Sequence, residues 1–190
     1  MRRWSLRTRF LLFALACLVP FGAILGYYLD RNLDHDRQQA LAYARERRQG
    51  RAPGWRGEGM SPIVEHPDVQ GMLLRMKSVT AAARALCYAC AVAIDASRRG
   101  AEGDTGEAAH RAALLTPIAK AFATDAGIAV ASLGIQVHGG AGYIEETGAA
   151  QHLRDVRVFA IYEGTNGIQA ADLATRKLAL DDGEAARRLL

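Results

Sequence analysis

The sequence predicts an all-α protein: a membrane-spanning helix, a linker, and then a bundle of long helices. Three observations carry this expectation. Alanine and glycine abound among the 190 residues while β-branched side chains are sparse, which favours close-packed helices over sheet. After Pro67, apolar residues recur at steps of three and four over two long stretches. Near the N-terminus, twenty consecutive residues from Phe10 to Leu29 carry no charge.

Composition narrows the function classes. With 50% hydrophobic and 23% charged residues, the chain is not a disordered one, and no repeat period marks a solenoid. Its cysteines, Cys17, Cys87 and Cys90, are too few for a disulfide scaffold and point to a reduced compartment. The net charge of +4 divides unevenly: residues 1–60 carry +6 and residues 61–190 carry −2. The basic excess belongs to the head, so nucleic-acid binding by the body has no electrostatic support.

The head, 1–49, reads as a membrane anchor over residues 10–29 followed by a charged helix. Its apolar run just spans a hydrocarbon core, Arg2, Arg3, Arg7 and Arg9 precede it, and Tyr27 and Tyr28 suit an interfacial belt. Pro20 would kink such a helix without excluding it. A cleavable signal peptide and a buried helix are the alternatives, though no clean cleavage site follows. Arginines on both sides leave the orientation open. Residues 50–62, rich in glycine and proline, read as a linker that sets a boundary near residue 60.

The body, 63–190, is helical. After Pro67 one face carries Val69, Met72, Met76, Val79, Ala83, Leu86, Cys90 and Ile94, and Arg98-Arg99-Gly100 closes that helix. A polar connection through Gly103 and Gly106 leads to a second helix with Leu115, Ile118, Phe122, Ala126, Ala129 and Leu133 on one face. Gly127 and Gly134 permit close helix contact there, and Gly139-Gly140 stops it. Asn166 with Gln169 three residues on gives the capping pattern of a third helix carrying Ile168, Leu173 and Leu178.

Four groups of residues invite a chemical reading. Cys87 and Cys90 form a C-x-x-C inside a helix, best read as small apolar residues on its face. His35, His66, His110, His138 and His152 lack ligand spacing, so no metal site is expected. The stretch from Gln136 to Tyr143 is glycine-rich but follows a helix, unlike a dinucleotide fingerprint, and a helix C-terminus repels phosphate. It is either a glycine cap, or a place where absent side chains let a flat or phosphorylated group approach, with Gln136 supplying an amide. In Ile161-Tyr162-Glu163-Gly164-Thr165-Asn166-Gly167, the Glu163 carboxylate is either partly desolvated and suited to general-base work, or complementary to the next helix N-terminus.

These two motifs, about 25 residues apart, resemble those of the C-terminal helical domain of the acyl-CoA dehydrogenases. The resemblance runs from Ile63 to Leu180 through HPDVQGMLLRMKSVTAAARALCY and SLGIQVHGGAGYIEETGAAQHLRDVRVFAIYEGTNGIQAADLATRKLA. Around Glu145-Glu146-Thr147-Gly148 the wording is most similar to the 3-methylmercaptopropionyl-CoA dehydrogenase-like branch. The resemblance implies FAD, α,β-desaturation of an acyl-CoA thioester, electron-transfer flavoprotein as electron acceptor, a homo-oligomer and a cytoplasmic location. It implies that Glu163 is the catalytic base and that Gln136, Gly139 and Gly140 contact FAD of a neighbouring subunit. Thr165, Asn166 and Gly167 would lie along the flavin nucleotide, and Tyr162 and Gly164 would line the thioester site. The family's N-terminal helical domain, its β-domain and the first part of its bundle find no counterpart in the sequence. The expectation is therefore an incomplete portion of the enzyme, membrane-associated if residues 10–29 insert. The alternative is an inactive membrane-tethered helical module that keeps the motifs by descent.

Overall fold

The computed structural model of the chain describes residues 33–99 and 105–189. The anchor reading over residues 10–29 lies outside the described residues.

Helix α1, Asp34–Glu46, begins with Asp34 and Asp36 and ends with Arg45, charges that complement its dipole. Its alanines make the contact face: Ala40 and Ala44 are fully buried and join Leu33, Val69, Met76 and Val130 in one core. Asp34 also pairs with Arg84 of the next helix. Here the structure departs from the domain boundary expected at residues 50–62. The segment is a loop within one packed unit, because backbone bonds close it on itself. Arg48 bridges Pro62, Gln49 N–H donates to the Ser61 carbonyl (3.1 Å) and Ile63 N–H to the Arg47 carbonyl (2.8 Å). Ser61, fully buried, accepts the Ala52 N–H on its hydroxyl at 3.0 Å. A turn-rich composition serves a tight loop as readily as a spacer.

Helices α2 (Pro67–Arg99) and α3 (Thr105–His138) form the central pair. They run antiparallel: Cys90 lies 3.6 Å from Thr116, while Met76 near the start of α2 approaches Gly134 near the end of α3. Arg99 and His138 end them where basic residues and glycine were expected. Gly106, expected in the connection, lies inside α3. Of the expected apolar face of α3, Leu115 and Ala126 are buried and Phe122 is 43% exposed, while Leu114, Ala119, Ala123 and Val130 are buried off that face. Because α3 touches α1, α2, α4 and α5, burial is spread around it and no single stripe describes it. Both helices of the pair are long and apolar enough to cross a membrane by length and composition alone.

Helix α4 (Ala149–Arg157) escaped the periodicity reading, being short and mostly polar. It lies so close to α3 that a Cβ on Gly127 would sit 2.6 Å from Val156, the close contact for which a glycine was expected. Helix α5 (Asn166–Asp172) continues as a π-turn over Leu173–Lys177. Its N-cap is Thr165, not Asn166: Thr165 Oγ1 accepts the Ile168 N–H at 3.3 Å. The expected apolar face is open, with Ile168 61% and Leu178 48% exposed. Helix α6 (Glu184–Leu189) tucks Ala185 in beside the bundle. The described residues form no strand beyond the isolated bridge, in keeping with the all-α expectation.

Candidate functional site

The two motifs occupy separate places along α3. Asn166 packs against Thr124, and Gln136 stands twelve residues farther along the helix, roughly 18 Å by helical rise. One chain therefore presents the two motifs as separate surfaces, each a candidate half-site.

The first surrounds the C-terminus of α3. Gly139 adopts φ +59°, which breaks the helix and starts the single turn Gly140–Tyr143. The exposed Gln136, Gly139 and Gly140 line an open groove of about 610 Å³ together with Tyr43, Arg47 and His66. A Cβ at either glycine would meet nothing within 4 Å, so the glycine backbone faces open space. His138, beneath them, is 5% exposed; its Nδ1 donates to the Gly134 carbonyl at 2.7 Å and its ring lies 4.6 Å from Tyr43. His66 Nε2 is held by the Gln49 carbonyl at 3.0 Å. Sequence reasoning missed Arg47. Arg47, the residue that follows α1, lines the groove and adds a positive charge to it, whereas the dipole of a helix C-terminus alone would repel phosphate. Asp68, also on the groove, is the acidic counterweight. An arginine, an amide and bare glycine backbone are groups able to hold an anion.

The second half-site is the turn between α4 and α5. Glu163 has φ +56° and Gly164 φ +83°, a left-handed pair that costs a non-glycine residue about 1 kcal/mol or more. Glu163 is exposed, so any desolvation of its carboxylate comes from a molecule set against it. Its carbonyl accepts from Gln169 Nε2 at 3.4 Å. Tyr162 meets Phe159 in a tilted ring contact, centroids 5.6 Å apart, and burial, then the Glu163 charge, pushes its phenol up. Asn166, one of the residues carried over for the flavin nucleotide, turns its side chain inward. Its Oδ1 accepts from Lys120 Nζ at 2.8 Å and its Nδ2 donates to Asp125 at 2.7 Å. Thr165 and Gly167 are exposed beside it.

The cysteines stay apart from both. Cys87 and Cys90 lie within α2, and burial pushes the Cys87 thiol up to about 11, which leaves little reactive thiolate. Among the described residues no three metal-ligating side chains gather.

Comparison with known proteins matches the same stretch. Residues 36–178 fit the acyl-CoA dehydrogenase C-terminal domain. A 3-methylmercaptopropionyl-CoA dehydrogenase of Ruegeria pomeroyi is 48% identical over 151 residues, covering 80% of this chain and 26% of that protein. A butyryl-CoA dehydrogenase of Syntrophomonas wolfei is 39% identical over 129 residues, 67% of this chain and 21% of its own length. The solved butyryl-CoA dehydrogenase of Megasphaera elsdenii superposes with a TM-score of 0.64 at 26% identity, over 85% of this chain and 37% of its own. The chain spans about a quarter of the length of these curated relatives.

Proposed function

The chain belongs to the acyl-CoA dehydrogenase family, through that family's C-terminal domain, and on that premise we propose that it carries the base of a flavin-dependent desaturation. The reaction is α,β-dehydrogenation of an acyl-CoA thioester. The observation that carries this reading is the Glu163 turn: a carboxylate held at positive φ, exposed, and flanked by Tyr162 and Gly164.

A proton α to a thioester is weakly acidic, so the base must be placed against it and water kept away. Glu163 takes that proton on its carboxylate. Gly164, lacking a side chain, leaves room for the thioester beside it, and Tyr162 offers an aromatic wall. FAD, when bound, accepts the hydride that leaves the β-carbon. Gln136, Arg47 and the Gly139–Gly140 backbone hold the cofactor's phosphates for a neighbouring copy, while Thr165 and Gly167 border the nucleotide beside Glu163. Asn166 contributes there through its backbone, its side chain being committed to α3. The separation of the half-sites along α3 supports this division between two subunits.

Leu74, Tyr88 and Val92 of α2 are 64%, 55% and 68% exposed, an apolar face suited to a second copy. Electron-transfer flavoprotein is the electron acceptor in this reading. Residues 10–29 tether the assembly to a membrane.

Flavin retention tests the reading. The full chain is mixed with a polypeptide bearing the family's N-terminal helical and β-domains, and FAD absorbance is followed through gel filtration. The mixture retains FAD, and Arg47→Ala or Gln136→Ala weakens retention. Retention unaffected by both substitutions would overturn the groove's assignment, and no retention by any mixture would favour an inactive tethered module.

A further inference from the structure

Near the middle of α3, Lys120 is 4% exposed. An ammonium is costly to bury, and desolvation holds its pKa below the ordinary lysine value, with Asp125 countering in part. An apolar side chain would fill that place at less cost. The charge has a partner: Nζ donates to Asn166 Oδ1 at 2.8 Å. The same amide is gripped from the other side, Nδ2 donating to Asp125 Oδ1 at 2.7 Å and to Thr124 Oγ1 at 3.1 Å. This arrangement admits one amide orientation only, because an ammonium cannot accept and a carboxylate cannot donate. Thr124 Oγ1 in turn donates to the Lys120 carbonyl at 2.9 Å, locking the acceptor.

Asn166 is the first residue of α5. Immediately before it, Thr165 caps the helix, and Gln169 of the same turn reaches back to the Glu163 carbonyl at 3.4 Å. The left-handed Glu163–Gly164 pair is therefore joined to α3 through Asn166, which lies three residues after Glu163.

We infer that Lys120, Asn166 and Asp125 form a positioning clamp that fixes the start of α5 and so aims the Glu163 carboxylate. The clamp's use in catalysis rests on Glu163 being the base; its mechanical part does not. Lys120 is a positioning residue and touches no substrate.

Amide hydrogen exchange on the full chain tests the mechanical part. Lys120→Met speeds exchange over residues 161–170 roughly tenfold or more, the factor expected for losing a hydrogen bond to a charged group. Exchange over residues 67–99 stays as in the parent. Should Lys120→Met unfold the chain, the double variant Lys120→Met/Asn166→Ala, which leaves neither partner stranded, is read in the same way. Unchanged exchange over residues 161–170 in a folded variant would overturn the clamp. In the mixture that retains FAD, Lys120→Met lowers kcat for flavin reduction while KM for the acyl-CoA stays within about twofold, and Lys120→Arg restores part of kcat. A kcat equal to the parent's, where Glu163→Gln abolishes reduction, would also overturn it. If Glu163→Gln itself leaves reduction intact, the assignment of the base fails, and the exchange result still decides the clamp.

Discussion

His152 Nδ1 stands 3.2 Å from Asp36 Oδ1, joining α4 to α1 beside a void of about 10 Å³ lined by Gln39, Gly134 and His138. Asp36 is only 4% exposed. Burial raises its carboxyl above the ordinary range, and His152 and His35 counter that in part. The folded state therefore holds the Asp36 proton to higher pH than the unfolded state does. Stability from this group is full below the unfolded carboxylate pKa of 3.8 and is lost as pH rises through the folded value. Asp36→Asn should match the parent near pH 3 and exceed it increasingly toward neutrality, as urea unfolding at several pH values would measure. An Asn variant less stable than the parent at pH 7 would mean that the pair with His152 outweighs the burial.

Close packing of α3 on α4 gives a second expectation. Gly127→Ala adds about 1 kcal/mol of helix propensity but forces a methyl to within 2.6 Å of Val156. Overpacking costs about 1–3 kcal/mol, so the variant should be destabilised on balance. Val156→Ala in the same chain should return part of the loss, and strict additivity in thermal unfolding would contradict the contact.

Leu74 and Val92 lie about five helical turns apart on α2, both exposed. If that face meets a second copy, Leu74→Glu/Val92→Glu should lower the molar mass found by light scattering while helical circular dichroism stays unchanged. The same mass for parent and variant would place the interface elsewhere.

Residues 10–29 carry the membrane expectation. Full-length protein should sediment with membranes, and deletion of residues 1–32 should release it, since twenty uncharged residues match the hydrocarbon thickness. Recovery of the intact chain in the supernatant would refute the anchor.

Long elements were legible in the sequence because their signals are local and repeated. The ends of α2 and α3 follow from Arg98-Arg99 and from Gly139, whose positive φ a glycine readily adopts. Helix α4 was not legible: its contact with the bundle rests on a few residues such as Val156, which meets a glycine some thirty residues earlier in the chain. The cap of α5 fell on Thr165, because Asn166 found stronger partners in Lys120 and Asp125, a competition that only tertiary contact decides. Arg47 reached the groove because residues 47–62 close into a loop, and composition alone does not distinguish such a loop from a spacer. Glu163 was singled out by its motif, whereas its left-handed backbone and its tie to α3 emerged with the structure.

The most direct measurement is flavin reduction by acyl-CoA under anaerobic conditions, in the mixture of this chain with the family's remaining domains. Glu163→Gln changes shape little, so FAD and acyl-CoA should still bind. Reduction of the flavin should slow by at least the general-base factor of about 10²–10⁴. A Glu163→Gln mixture that reduces its flavin as fast as the parent would contradict the account, and another group would be the base.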